Sequence, residues 1–481
     1  MATSTIEAAD HELIVAGERV ETGEWNEVRS PYDGAVVGRV PVGDAALVDR
    51  AVKAARKAFE AGGLPQHERA AILERAAALV AEREDELALT IAAEAGKPIK
   101  TARVEAQRCV STLSFSAVEA RKLTGETVPM EASSAGEGKL GLVMRVPYGV
   151  VGAISPFNFP LNLVGHKLGP ALAAGNAIVL KPAGQTPISA IKLGEILLEA
   201  GLPDGWLHII AGPGGEVGNA IVEHELTAAI TFTGSAPVGW DIRARAARKK
   251  VNLELGSTAP LIVNDDGDWE AAADKAQIHA FSHAGQSCIS IQRILVHRSI
   301  ADRFAERLAA KVEQLVVGDP LDSETDVGPL ISAKDRDRVK EWVDEAAAGG
   351  AEILCGGELV DEGRCLAPTV IRNPARDAKV WCEEIFGPVA TINSFDSFDE
   401  AIEMANDAHF GLQAGVFTRD IGRAIEAARR LEFGGVLVNE VPTFRADQMP
   451  YGGVKDSGNT REGPAYAVRE LTEERLVSFQ G

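Results

Sequence analysis

The chain contains five cysteines, Cys109, Cys288, Cys355, Cys365 and Cys382, and one of them stands in a segment suited to reactivity. "GQSC" places the Cys288 thiol shortly after Gly285, in a flexible polar loop beyond a helix, where a substrate can reach it and where a lowered pKa would make it a nucleophile. A small buried hydrophobe is the commoner fate of this residue type. Glu254 ends the strand-like run of "NLELGS", where a carboxylate is costly unless it faces a wet cleft or a partner. In a cleft it is a general base, and a structural salt bridge is the alternative. Lys181 heads "KPAGQTP", from which its ammonium reaches ribose or phosphate oxygens. Gly234 and Ser235 in "FTGS" stand directly before a helix, whose free N–H groups and dipole suit a pyrophosphate. Gly212, Gly214 and Gly218 miss the G-x-G-x-x-G spacing and read as turn residues. The cysteines are odd in number and scattered, as free thiols of a reducing cytosol would be, and no Cys/His spacing suggests a metal.

These residues fall at the ends of predicted strands. Short unbroken apolar runs at 150–154, 177–180, 207–210, 229–232 and 251–255 alternate with helix-length connections, which implies a parallel sheet covered on both faces. A second series at 261–263, 294–297, 389–392, 413–417 and 435–438 predicts another doubly wound α/β unit. Such sheets bind ligands beyond their carboxyl ends, where "ISPFNFP", "KPAGQTP", "AGPGGEVG" and "FTGS" lie. Ahead of them, Asp44 caps a helix with Val48, Val52, Ala55 and Phe59 on one face, and a second amphipathic run containing Ile72, Leu73, Ala76, Leu79 and Val80 ends at Gly96. An extended hairpin over 123–147 leaves the body, and a last strand at 476–479 is expected to pair with it or with another subunit.

The 481 residues are 46% hydrophobic and 25% charged, enough to bury a large core and far from disordered composition. With 49 Lys and Arg against 70 Asp and Glu, the net charge of −21 repels nucleic acid and anionic lipid, so neither is expected as a partner. Residues 1–10, with Glu7 and Asp10, lack the basic start and apolar centre of a signal peptide, and no apolar stretch approaches the ~20 residues of a membrane span. A cytoplasmic protein is expected.

Taken together and in order, "PFNFP", "KPAGQTP", "FTGS", "LELGS", "GQSC", "EEIFGPV" and "PYGGVKDSG" resemble the aldehyde dehydrogenase superfamily over nearly the whole chain. The resemblance implies two doubly wound α/β domains with a small β oligomerisation element: 1–122 and 148–253 for the dinucleotide, 254–462 for catalysis, and 123–147 with 463–481 for assembly into a homodimer or homotetramer. It makes Cys288 the nucleophile, Glu254 the general base, and Asn158 a donor to the oxyanion beside the Cys288 N–H. It assigns Lys181, Gly234, Ser235, Glu384 and Phe386, with Ser155 and Pro156, to NAD or NADP. Gly184 stands where strongly NAD-preferring relatives often carry Glu, which leaves NADP open, and Ser257 replaces a common second Gly.

"LNLVGHKLGPAL", "SCISIQRI" and "RADQMPYGGVKDSG" further resemble the lactaldehyde-type and phosphonoacetaldehyde-type branch. Phe157 is then expected at the substrate, and Arg445 with Arg108 is expected to chelate a carboxylate, phosphonate or phosphate on the aldehyde. A structural Arg445–Asp447 pair is weighed equally. Arg293 reads as structural. The resemblance implies oxidation of an aldehyde to a free acid. The alternatives are transfer of the acyl group to coenzyme A, which Glu254 argues against, and a non-catalytic family member, against which Asn158, Glu254 and Cys288 speak together.

Overall fold

The computed structural model describes residues 8–481, so the sequence reading of the first ten residues falls mostly outside the described residues. Two seven-stranded sheets carry the molecule. The first runs in the order Lys250–Glu254, Ala229–Thr233, Val150–Ile154, Ala177–Lys181, Leu207–Ile209, Leu13–Val15, Glu18–Val20. Its central strands are fully or nearly fully buried, which is why they read as continuous apolar runs, and they pair in parallel. The chain builds outward from Val150–Ile154 in one direction and then returns to its other side with Ala229–Thr233. Strand order therefore reverses beside the loop after Ile154, and a crevice opens there.

Helix Ala45–Glu60 begins where the Asp44 carboxylate accepts the Leu47 N–H at 2.8 Å, and it buries Val48, Ala51, Val52 and Ala55 against this sheet. The second amphipathic run is two helices, Gln66–Glu82 and Glu84–Ala95, broken at Arg83 and stopped by Gly96 in the left-handed region at φ 67°. Helix Ile99–Lys122 packs against both Gln66–Glu82 and Asn162–Ala174.

The second sheet runs Glu352–Cys355, Thr369–Arg372, Val389–Phe395, Arg293–His297, Pro260–Val263, Gln413–Phe417, Gly435–Val438. Every strand expected in the two series is present. The sheets are not purely parallel, however: Leu13–Val15 joins the first antiparallel, and Glu352–Cys355 does the same at the edge of the second. Leu13–Val15 is fully buried between Leu207–Ile209 and Glu18–Val20 but only three residues long, and Glu352–Cys355 is a partly exposed edge, so neither carries the long apolar run that marks a central parallel strand. Arg293 is fully buried and donates to the carbonyls of Thr258, Met404, Ala405 and Asp407, which ties this sheet to the helix Phe398–Asn406. Burial lowers its guanidinium to about 10.

A third sheet, of three strands, pairs Thr472–Gln480 with Lys139–Pro147 over nine register pairs, and Glu126–Val128 adds to the other side. The C-terminal strand thus pairs with the hairpin of its own chain. Leu140, Met144, Leu476 and Phe479 remain exposed on it.

Candidate active site

A cavity of about 410 Å³ opens at the switch point and is lined by Ser155, Pro156, Phe157 and Asn158 from one loop, Gly234 and Ser235 from a second, Glu254, Cys288, and Glu384 with Phe386. Loops separated by more than 200 residues thus meet at one place. A larger cavity of about 710 Å³ shares Ile154 and Phe232 as walls and adds Lys181, Gly218 and Asn219.

The Cys288 loop is held by its own sequence. His283, Ala284 and Gly285 lie in the left-handed region at φ 51°, 52° and 69°. A Cβ on Gly285 would collide with the carbonyl of Gly387, so glycine is required there. Gln286 is fully buried; its side-chain oxygen accepts the Ile331 N–H at 2.9 Å and its side-chain nitrogen donates to the His283 carbonyl at 3.2 Å. The thiol that follows packs on Ile289, Leu412 and Tyr451, and Sγ lies 2.8 Å from the Tyr451 hydroxyl. Burial raises the thiol to about 12, against the lowering expected from a flexible loop; Tyr451 and Arg445 oppose that rise, while Glu384 and Glu254 add to it.

Asn158 donates through Nδ2 to the Gln286 carbonyl at 2.9 Å, which fixes the amide plane and leaves its second N–H for the cavity. Its loop is anchored from beneath. The Glu105 carboxylate accepts the backbone N–H groups of Leu161 and Asn162 at 2.9 and 3.1 Å and is paired with Lys97, whose ammonium lies 3.6 Å from the centroid of the Phe159 ring. Lys97 and Glu105 were missed in the sequence, where a lysine between Gly96 and Pro98 and a glutamate eight positions later look like ordinary surface charges.

Glu254 is 4% exposed and neither carboxylate oxygen has a hydrogen-bond partner. A Cβ on Gly452 would lie 2.8 Å from its Oε1, so this glycine lets the chain close over the carboxylate. Burial and the nearby charge of Glu462 push the Glu254 carboxyl well above its ordinary value, and Arg445, Lys167 and Arg461 only partly offset them. Lys167, also missed, donates to the Thr233 hydroxyl at 2.6 Å and lies 3.9 Å from Glu462.

A dinucleotide fits these residues. The Ser155 Oγ, Asn158 Oδ1 and both Glu254 oxygens are buried polar atoms without partners, as a ligand site leaves them. Ser235 precedes helix Ala236–Arg245, and a Cβ on Gly234 would lie 2.6 Å from the Phe232 ring, which keeps the approach to that helix end bare. Lys181 is buried on the larger cavity and donates to its neighbouring Pro182 carbonyl at 3.0 Å. Glu384 accepts the Ser257 N–H at 2.8 Å and presses on Gly256; burial moves its carboxyl up to about 7. Phe157 and Phe386 meet edge to face with centroids 5.8 Å apart.

Arg445 and Arg108 are not on the cavity wall. The Arg445–Asp447 pair weighed in the sequence is replaced by two others: Arg445 donates to Glu462 at 2.9 Å, and Asp447 accepts from Arg108 at 2.8 Å and lies 3.0 Å from the His166 ring nitrogen. The Arg445 guanidinium stacks 3.8 Å from the centroid of the Tyr451 ring, behind the thiol, and its Nε has no partner.

No metal-binding cluster occurs among the described residues, and no described helix is long and apolar enough to cross a membrane.

The sequence profile of the aldehyde dehydrogenase family matches residues 19–477. A 3-sulfolactaldehyde dehydrogenase from Priestia megaterium is 46% identical over 475 residues, with 99% of each chain covered. Among solved structures, aldehyde dehydrogenase 21 from Physcomitrella patens in complex with the reaction product succinate is 39% identical, with a TM-score of 0.95 and 99% of each chain covered. The glyceraldehyde-3-phosphate dehydrogenase of Methanocaldococcus jannaschii complexed with NADP is also 39% identical, with a TM-score of 0.91 over 96% of this chain and 100% of that one.

Proposed function

The chain belongs to the aldehyde dehydrogenase family, and on that premise we propose that it oxidises a short aldehyde with a second anionic group to the free acid through Cys288, Asn158 and Glu254. The supporting observation is the convergence of the thiol, the Asn158 amide and the unpartnered Glu254 carboxylate on one cavity. In the reaction, Cys288 Sγ bonds to the aldehyde carbon and the carbonyl electron pair moves to oxygen. The free Asn158 N–H and the Cys288 N–H hold that oxyanion, at about 3–4 kcal/mol per donor. NAD or NADP supplies a hydride acceptor when bound. As the carbonyl reforms, the C–H bond breaks with its electron pair, leaving a thioester on Sγ. Glu254 then takes a proton from water, the water oxygen adds to the thioester carbon, and the thiolate leaves.

Gly184 has open space around it and carries no carboxylate to repel a 2′-phosphate, so both dinucleotides belong in the assay. The test is reduced-nicotinamide absorbance with NAD or NADP and a panel of sulfonate, phosphate, carboxylate and neutral short aldehydes, with and without coenzyme A. Reduction without coenzyme A is expected; silence unless coenzyme A is added would overturn the hydrolytic reading.

The second anionic group is supported by the relatives, whose named substrates or products carry a sulfonate, a carboxylate or a phosphate. Arg445 puts a buried positive charge beside the thiol, with Arg108 beyond it on Asp447. Arg445→Met is expected to lower kcat/KM on anionic aldehydes about tenfold more than on neutral ones, through the loss of a buried charge behind the cavity rather than of a direct contact, about 1.4 kcal/mol. Because the comparison is a ratio within one variant, any general damage cancels, and equal losses on both would remove the assignment.

The same reading gives residues 1–122 and 148–253 to the dinucleotide, 254–462 to catalysis, and 123–147 with 463–481 to assembly, in a cytoplasmic protein. Exposed Leu140, Met144, Leu476 and Phe479 on the three-stranded sheet support an interface there. A homodimer or homotetramer is expected by light scattering, and a monomeric mass would exclude it.

A further inference from the structure

Tyr451 stands near the start of the "PYGGVKDSG" segment, 163 residues from Cys288 in sequence and 2.8 Å from its sulfur. Its side chain is fixed from three directions. The Tyr451 N–H donates to the Glu462 carbonyl at 3.1 Å, and the Glu462 N–H returns a bond of 2.6 Å. The carboxylate of that same Glu462 accepts from Arg445, whose guanidinium lies flat against the Tyr451 ring at 3.8 Å. Backbone clamp, stacking cation and its counter-charge thus form one closed unit that delivers a phenol to the thiol. The remaining contacts of Cys288 in this cluster, Ile289 and Leu412, are apolar, so the phenol is the polar neighbour within hydrogen-bonding distance of Sγ.

Resting on the reading of Cys288 as nucleophile, we propose that Tyr451 is a catalytic group for the reaction, its phenol O–H donating to the Cys288 thiolate and so raising the fraction of thiol that is ionised. A hydrogen bond to the charged form favours that form. The charges facing the pair are Arg445 on the ring side and Glu254 and Glu384 on the cavity side; the two carboxylates work against ionisation, and Arg445 works with the phenol. Tyr451 itself keeps its proton while the thiol ionises, because burial and then the charge on the thiolate push the phenol well above its ordinary value. The donor role is therefore sustained over the whole working pH range.

Tyr451→Phe deletes only the hydroxyl and retains the ring on which Arg445 stacks. Losing the donor raises the thiol pKa. A rise of one unit cuts the thiolate fraction tenfold, partly offset by the greater nucleophilicity of a more basic thiolate, so alkylation of Cys288 by iodoacetamide is expected to slow about threefold between pH 7 and 9. The rate is followed by mass analysis of the Cys288 peptide, with dinucleotide affinity unchanged as the check on folding. Genetically encoded 3-fluorotyrosine at position 451 is a stronger donor and is expected to speed the same alkylation, a reversal that a purely packing role would not produce. Equal alkylation rates in wild type and Tyr451→Phe, or a faster rate from a more open thiol, would overturn the proposal. Failure of the underlying reading has a different signature, aldehyde oxidation that survives Cys288→Ala.

Discussion

Cys288→Ala is expected to lower kcat/KM for aldehyde oxidation by at least about 10⁴-fold, some 5.5 kcal/mol of transition-state stabilisation, while dinucleotide affinity stays within about twofold. The size follows from the chemistry: without a sulfur to hold the carbonyl carbon there is neither thiohemiacetal nor thioester, and the remaining oxyanion donors and general base have nothing to act on. The lack of effect on cofactor follows from geometry, since the alanine removes one atom from a wall that also contains Ser155, Ser235, Glu384 and Phe386. Cys382 provides the contrast. It is the other partly exposed cysteine, but its thiol donates to the Asp377 carbonyl at 3.6 Å, away from the cavity, so Cys382→Ala should leave turnover unchanged. Steady-state rates and titration of dinucleotide fluorescence on the two variants decide the matter. Activity retained in Cys288→Ala, or lost equally in both, would overturn the assignment of the nucleophile.

What could be read from sequence is what local physics dictates. Central strands such as Ala177–Lys181 and Leu261 with its neighbours are buried on both faces, and their unbroken apolar runs announce it. Leu13–Val15 and the edge strand Glu352–Cys355 carry weaker signals, the first because it is only three residues long and the second because it is partly exposed with a single partner. The break at Arg83 was invisible because apolar residues continue at helical spacing on both sides of it.

At the site, "PFNFP", "FTGS" and "LELGS" each follow or adjoin the carboxyl end of a strand, which was enough to bring them to one edge, whereas "GQSC" lies in a loop beyond a helix and ahead of the strand Arg293–His297. The electrostatics were not legible. A polar loop suggested an activated thiol, yet the environment of Cys288 is made by Ile289, Leu412 and Tyr451, two of them more than 120 residues away, and their burial acts in the opposite direction. Arg445 and Asp447 look like a pair because they are close in sequence; in space each answers to a distant partner, Glu462 for one, and His166 and Arg108 for the other. Burial and long-range pairing are properties of the assembled fold, and no window of sequence contains them.

The steady state should depend on Glu254 differently from the first turnover. Glu254→Gln keeps the shape of the side chain but cannot take a proton from water, so the thioester should form and then persist. A burst of one reduced nicotinamide per active site is expected, followed by a steady rate at least about 10²-fold below wild type, the usual reach of a general base. The pH dependence has a definite sign. Because burial and Glu462 raise the Glu254 carboxyl well above its ordinary value, it is protonated and inactive as a base at low pH, and hydrolysis should accelerate as pH rises through that raised value. In wild type the acid limb of kcat should therefore lie above the ordinary carboxylate range near 4.3. Glu462→Gln, by removing the like charge, should move that limb to lower pH, whereas Glu254→Gln should erase it. Rapid-mixing absorbance at several pH values reads both effects. A burst that disappears along with the steady rate would place Glu254 in the first half of the reaction, and a limb that persists in Glu254→Gln would show that another group activates the water.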